Sequence, residues 1–460
     1  MLIHLDQRLK NELAKAISGK ISCIFRTECT FINPNTSYKE TVYIRNLNII
    51  QDFTGSYTDN IVVITEVTPT QYKELQSNMQ GLECGITLYP VSTLTGDDLE
   101  TQDPIIIEGL VFLPEQLDLD KQTNATITGD PESKQPESGS QAEAYVMFQF
   151  EVMSKRVHDL RQMKVNAIFS GSKMEDVLHW STQQFDMEEA TIVPPDSSAT
   201  IGAIVIPPVK GIDDLYPYLQ DRYGIYAKGM SYYYVDDHLY IYPSFDTDIN
   251  HCVDKDRVAH FVNGVGTEWY GVGHYHNFED DDVYIAAIAN AEVSPVNTAA
   301  AENNGNVIAS ANADTANDRN VTVEQNGTVT KNDGTMAVIS RQNNAGNMAS
   351  SMQNIKYGGN TSNVYNATSA LASEDGSILK LTWINAYPWV LIPGQHVEYH
   401  YLDSNSEYQT LPGVLQGIFF QSESVPLASQ KRPGITFTAG VQIFLAPERQ
   451  DDQTVQYTQR

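Results

Sequence analysis

The residues best spaced for chemistry lie in Gly273–Asp282, GHYHNFEDDD. His274 and His276 are two apart, which sets both imidazoles on one face of a strand. Glu279, Asp280, Asp281 and Asp282 follow. A His-x-His pair is part of a metal site and needs at least one more ligand from elsewhere. The same stretch also reads as an exposed strand end with an acidic turn. Carboxylate pairs stand at Asp97-Asp98, Asp213-Asp214 and Asp236-Asp237. Glycoside hydrolysis needs two such groups facing each other across a sugar, whereas adjacent acids on a strand diverge. Cys252 adjoins His251, but chain neighbours do not make a nucleophile–base pair. The sequence contains no GxSxG elbow, no GxGxxG after a strand and no GxxxxGK[ST] loop. The segment TWINAYPWV (Thr382–Val390) gathers Trp383, Tyr387 and Trp389. It reads either as a carbohydrate-stacking platform or as a strand packed against another subunit. No catalytic, cofactor-binding or metal-ligating residue is assigned, no cofactor is expected, and the chain is not read as an enzyme.

Composition narrows the classes further. The 460 residues carry 29 Lys plus Arg against 58 Asp plus Glu, a net charge of −29. Such a surface repels nucleic acid, which excludes a sequence-reading DNA binder. Cys23, Cys29, Cys84 and Cys252 show no CxxC spacing, so neither a zinc knuckle nor a disulfide framework is expected. The first twenty residues lack an apolar signal-peptide core. No apolar run reaches the length of a membrane span, and no membrane insertion is expected.

These residues must be positioned by a mainly β chain with a mixed α+β middle. Leu2, Leu5, Leu9, Leu13 and Ile17 predict a helix over 1–18. Period two then dominates 20–115, interrupted by PTQYKELQSNMQG, a short helix with Pro69 at its start and Gly81 beyond its end. Residues 116–143 are polar and predict a surface loop. The expected organisation is an N-terminal antiparallel β-barrel or sandwich over 1–165 and a mixed, Tyr-rich region over 166–290. An extended Asn/Ala-rich insertion covers 291–375, and a second barrel covers 376–460. Within the insertion Asn326-Gly327 marks a hairpin.

Tyrosines crowd the middle: LYPYLQDRYGIYAKGMSYYYVDDHLYIYP (215–243) reads as a helix ending at Tyr223-Gly224, then a hairpin about Asp236-Asp237. Alternation predicts Tyr232, Tyr234, Tyr240 and Tyr242 on one side.

Four passages carry a resemblance. They are YIRNLNIIQDFTGSYTDNIVVITEVTPTQYKELQSNMQGLECGITLYPV (43–91), RQMKVNAIFSGSKMEDVLHWSTQQF (161–185), the tyrosine stretch above, and PWVLIPGQHVEYHYL (388–402). Together the chain resembles the baseplate hub proteins of contractile-tailed phages. That resemblance implies two tail-tube-like barrels per subunit and a homotrimer presenting six barrels in a ring. The ring joins a sixfold tail tube to a threefold spike. The implied partners are the tail tube protein, the spike protein and other baseplate proteins, with DNA only as a non-specific passenger through the lumen. The implied location is the virion's tail baseplate, assembled in the host cytoplasm, with the tyrosines packed between subunits. The insertion at 291–370 departs from this pattern. Two alternatives stay open: another tail or baseplate component, such as a wedge or minor tail protein, and a carbohydrate-binding or carbohydrate-active surface protein.

Overall fold

Period-two patterning becomes strands at both ends of the chain. The computed structural model describes residues 23–92, 97–99, 102–113, 145–264, 274–276, 281–295, 376–402, 408–427 and 433–445, four three-residue strands between 309 and 340, and isolated positions within 365–373. The helix expected over 1–18 and the loop at 116–143 lie outside these residues.

The N-terminal strands are β1 (Ile24–Asn33), β2 (Tyr38–Asp52), β3 (Asn60–Val67), β4 (Glu83–Pro90), β5 (Ile105–Phe112) and β6 (Val146–Met153). They pair antiparallel in a closed ring, β1-β2-β3-β6-β5-β4 and back to β1. Within the ring each strand has a neighbour on both sides. Strict alternation in β3 and β4 sends Ile61, Val63, Cys84, Ile86 and Leu88 inward. Helix α1 (Pro69–Ser77) lies between β3 and β4 and starts with a capping box. The Thr68 hydroxyl accepts from the Gln71 N–H, and the Gln71 side chain accepts from the Thr68 N–H.

The middle follows as α2 (Lys155–Gln162), β7 (Val165–Ser172), α3 (Met174–Gln184), β8 (Glu189–Ile192), β9 (Ile201–Lys210), α4 (Ile212–Tyr223), β10 (Met230–Val235) and β11 (His238–Pro243). Met174, Val177, Leu178 and Phe185 are buried as their helical spacing predicts. Helix α4 stops at Gly224, whose φ of 76° suits a residue without a side chain. The ring of Tyr365, from the insertion, packs directly on that glycine.

The remaining strands are β12 (Val258–Val262), β13 (Tyr275–His276), β14 (Val283–Ile285), β15 (Ile288–Pro295), β16 (Ala309–Ala311), β17 (Val321–Val323), β18 (Val329–Lys331), β19 (Val338–Ser340), β20 (Ser377–Ala386), β21 (His396–Leu402), β22 (Tyr408–Val425) and β23 (Gly434–Leu445). Strands β17 and β18 pair antiparallel on either side of the Asn-Gly signal; Asn326 and Gly327 themselves lie outside the described residues. Strands β20 to β23 recruit partners from 258–295: β12 pairs parallel to β21, and β15 pairs antiparallel to β20. The ring is not separate from this second unit. Strand β2 pairs with β22 and β1 with β23, giving one fourteen-stranded sheet. One apolar cluster accordingly runs from Phe25 to Leu445. The middle packs its own cluster around Leu178, Tyr216, Leu219 and Ile241. Among the described residues no helix is long and apolar enough to cross a membrane.

Candidate functional site

The tyrosine hairpin occupies the seam between the sheet and the middle. Asp236 and Asp237 form its two-residue turn with φ of 49° and 59°, the conformation of a type I′ connection. The register sets Tyr232 opposite Ile241, Tyr233 opposite Tyr240 and Tyr234 opposite Leu239. Cross-strand partners share a face, so the expected single face of Tyr232, Tyr234, Tyr240 and Tyr242 is split. A two-residue turn pairs even with odd positions. The implied packing of these tyrosines between subunits also needs correction. Tyr216, Tyr226, Tyr233 and Tyr242 are fully buried inside one copy of the chain. Tyr233 sets its ring edge-on to Phe53 at 4.8 Å. Tyr226 donates to the Val193 carbonyl, and Tyr242 donates to the Phe53 carbonyl at 3.3 Å.

Asp59 is the polar centre of this seam. Its Oδ1 accepts from the Tyr233 hydroxyl at 2.7 Å and from Gln51 Nε2 at 3.1 Å, and its Oδ2 accepts from Trp389 Nε1 at 2.7 Å. Burial pushes the Asp59 carboxyl up, and the three donors only partly offset it. A cavity of about 440 Å³ lies alongside, lined by Asp59, Ile107, Tyr234, Asp236 and Trp389 among others. Burial, then the charges of Asp59 and Asp237, also hold Asp236 above the usual carboxylate range. A raised carboxyl pKa means folding favours the protonated form, so stability falls as pH climbs from the unfolded value through the folded one. Asp236→Asn removes that slope and places a residue suited to positive φ in the turn. It is expected to raise stability at neutral pH by roughly 0.5 kcal/mol, kept small by solvent screening. Urea unfolding of both proteins at pH 4 and pH 7 checks this.

A second polar cluster lies on the sheet face opposite the core. His260 on β12 stands beside Glu398 on β21 in register, and His400 follows two residues later on the same face. Their neighbours in the sheet are Tyr284 on β14 and Thr410 on β22. His260 Nδ1 is 3.0 Å from His400 Nε2 and 3.2 Å from Glu398 Oε2, and His400 Nε2 is 3.5 Å from the same oxygen. The far nitrogens are engaged as well: His260 Nε2 lies 3.4 Å from Asp282 Oδ2, and His400 Nδ1 lies 3.0 Å from Thr410 Oγ1. Asp282 Oδ1 accepts from the Val258 N–H at 2.9 Å. The Tyr284 ring stacks on His260 with centroids 4.6 Å apart and planes 11° from parallel. Burial pulls the His260 pKa down, but Asp282 and Glu398 outweigh it and leave it raised. His260, chiefly, holds the Glu398 carboxyl low.

The sequence candidates land elsewhere. His274 is buried between Trp383 and Tyr387, with no hydrogen bond at Nδ1, and burial pushes its pKa down to about 4. His276 pairs with Asp281. Glu279 and Asp280 lie outside the described residues. His251 Nδ1 is 2.9 Å from Asp246 Oδ2, while Cys252 Sγ lies within donating distance of the Ile249 and Asp254 carbonyls, between which its one proton is shared. Asp98 pairs with Arg26, and Asp213 with Lys164. Of the aromatic trio, Trp383 is fully buried, Tyr387 packs on Phe25 and Trp389 reaches Asp59. Sequence reasoning passed over His260, Glu398 and His400. The signal for two of them was His-x-Glu-x-His at 396–400, alternating onto one face of β21. His396 stands outside the convergent set.

Residues 16–346, well over half of the chain, match the family described as Bacteriophage PBS1 gene 109 protein. The chain belongs to that phage family. Solved structures similar to it include two tail proteins. One is the 43 kDa tail protein of prophage MuSo2 from Shewanella oneidensis, at 9% identity and TM-score 0.42, covering 92% of this chain and 99% of that one. Another is the tail protein from Neisseria meningitidis MC58, at 11% identity and TM-score 0.38, covering 91% and 96%. A third is the E. coli c3393 protein, a type VI secretion component described as similar to T4 tail proteins gp27 and gp5. It has 9% identity and TM-score 0.35, covering 86% and 73%. No curated protein matches the sequence.

Proposed function

We propose that this chain is a structural virion protein, the central hub of a tail baseplate, and not an enzyme. Three copies enclose a channel and join a sixfold tail tube to a threefold spike. The tube, the spike and other baseplate proteins are its partners, and DNA passes without sequence-specific contact. The virion's baseplate is its location, after assembly in the host cytoplasm. The observation that carries the reading is the closed six-stranded ring whose β1 and β2 also pair with β23 and β22 of a second strand set. A subunit built from two laterally joined β units supplies two staves, so three subunits supply six. Membership of a phage family agrees with this, and a net charge of −29 suits a wall along which DNA slides without adhering. Ile168, 75% exposed, sits opposite Val205, 42% exposed, on the two-stranded β7–β9 ribbon, an outward apolar pair suited to a neighbouring subunit. The test is mass photometry of the purified chain with electron microscopy of the particle. Three copies around an open axis are expected; a stable monomer, or a closed particle without a bore, overturns the reading.

A further inference from the structure

The cluster on the outer face of β12 and β21 poses a problem of proton placement. Asp282 is an acceptor, so the His260 proton belongs on Nε2, facing it, which leaves a lone pair on Nδ1. If the His400 Nδ1–H donates to the Thr410 hydroxyl, Nε2 of His400 presents a lone pair too. Two nitrogen lone pairs and a carboxylate oxygen then converge on one point, at mutual distances of 3.0, 3.2 and 3.5 Å. Three acceptors that close repel one another unless a proton or a metal cation sits among them. Ligand atoms about 2.0–2.1 Å from a tetrahedral zinc lie on the order of 3.3 Å apart, which these edges match.

We propose that His260 Nδ1, His400 Nε2 and a carboxylate oxygen of Glu398 bind one zinc ion, with water in the fourth position. The open side is that of Glu398, which is half-exposed, whereas both histidines are buried. The surroundings are those of a built metal centre. A carboxylate orients one imidazole and a hydroxyl the other. The orienting carboxylate is itself fixed by the Val258 N–H, and an aromatic ring holds His260 in plane. Two imidazoles and one carboxylate favour zinc over calcium or magnesium, which prefer all-oxygen shells. The ion bridges β12 and β21, so it fastens residues 258–285 to the C-terminal strands. The bridging does not depend on the hub assignment. The competing occupant is a single shared proton.

The test uses the full chain, stripped with chelator and dialysed against micromolar zinc. About one zinc per chain is expected by elemental analysis, with X-ray absorption showing imidazole and oxygen neighbours. Cobalt substitution should give the visible bands of a four-coordinate site. Glu398→Gln and His400→Ala are expected to weaken zinc binding at least tenfold, while His276→Ala leaves it unchanged. Zinc should also raise the unfolding midpoint of the wild-type chain and not that of Glu398→Gln. A wild-type chain that retains no zinc overturns the proposal, leaving the shared proton, whether or not any variant folds. Sulfur in the coordination shell, or full retention by Glu398→Gln, overturns it equally.

Discussion

Trp383→Ala is expected to lower the unfolding free energy by about 3–5 kcal/mol. The indole is fully buried in the cluster that both β units share, edge-on to Phe420 and to His274 at 6.2 Å each. It sits on β20, which is paired on one side to β15 and on the other to β23. Truncation leaves a cavity beneath a strand hydrogen-bonded to neighbours on both sides, whose backbone resists moving in to fill it, so the upper half of the range applies. Urea unfolding followed by tyrosine fluorescence and circular dichroism measures the change. The result also separates two readings of TWINAYPWV. A tryptophan displayed for sugar stacking can be removed with little effect on stability; this one cannot.

Asp59→Ala is expected to cost about 3 kcal/mol. One carboxylate accepts from Gln51 on β2, Tyr233 on β10 and Trp389 ahead of β21. Deleting it strands three donors in a partly buried seam, at about 1–3 kcal/mol each before relaxation or water entry. Against this stands relief of a charge that burial already disfavours, which holds the total near the cost of one or two orphaned donors. Asp59→Asn should lose less, because Oδ1 still serves Tyr233 and Gln51 while the new amide opposes only the Trp389 N–H. Thermal unfolding ranks the variants as wild type, then Asp59→Asn, then Asp59→Ala. Equal midpoints for all three would remove Asp59 from its role as the joint.

Local pattern was readable where local physics decides. Alternation located β1 to β5, Pro69 and Gly81 located α1, and Gly224 ended α4. The Asp236-Asp237 turn was legible, but its consequence for facing was not, because register depends on the exact loop length. The destination of the tyrosines was hidden for a related reason. Tyrosine suits a subunit contact and an internal seam equally, and only tertiary structure shows that Tyr233 meets Phe53 and Asp59. Strand β12 is short, and its partner β21 lies more than a hundred residues downstream, so no window on the sequence joins them. The candidate site fell into that gap. His274 and His276 are close in sequence and end in different surroundings. His260 and His400 are 140 positions apart and touch.

The pairing of β1 with β23 and of β2 with β22 has a mechanical meaning. Two strands serve the closed ring and the neighbouring ladder at once, so the chain has no hinge along this seam. A twist applied to one unit reaches the other through backbone bonds lying side by side. A pull between the units loads those bonds together rather than in turn. Such a joint transmits torque and holds a fixed angle, as a part must when it keeps its shape while its neighbours move.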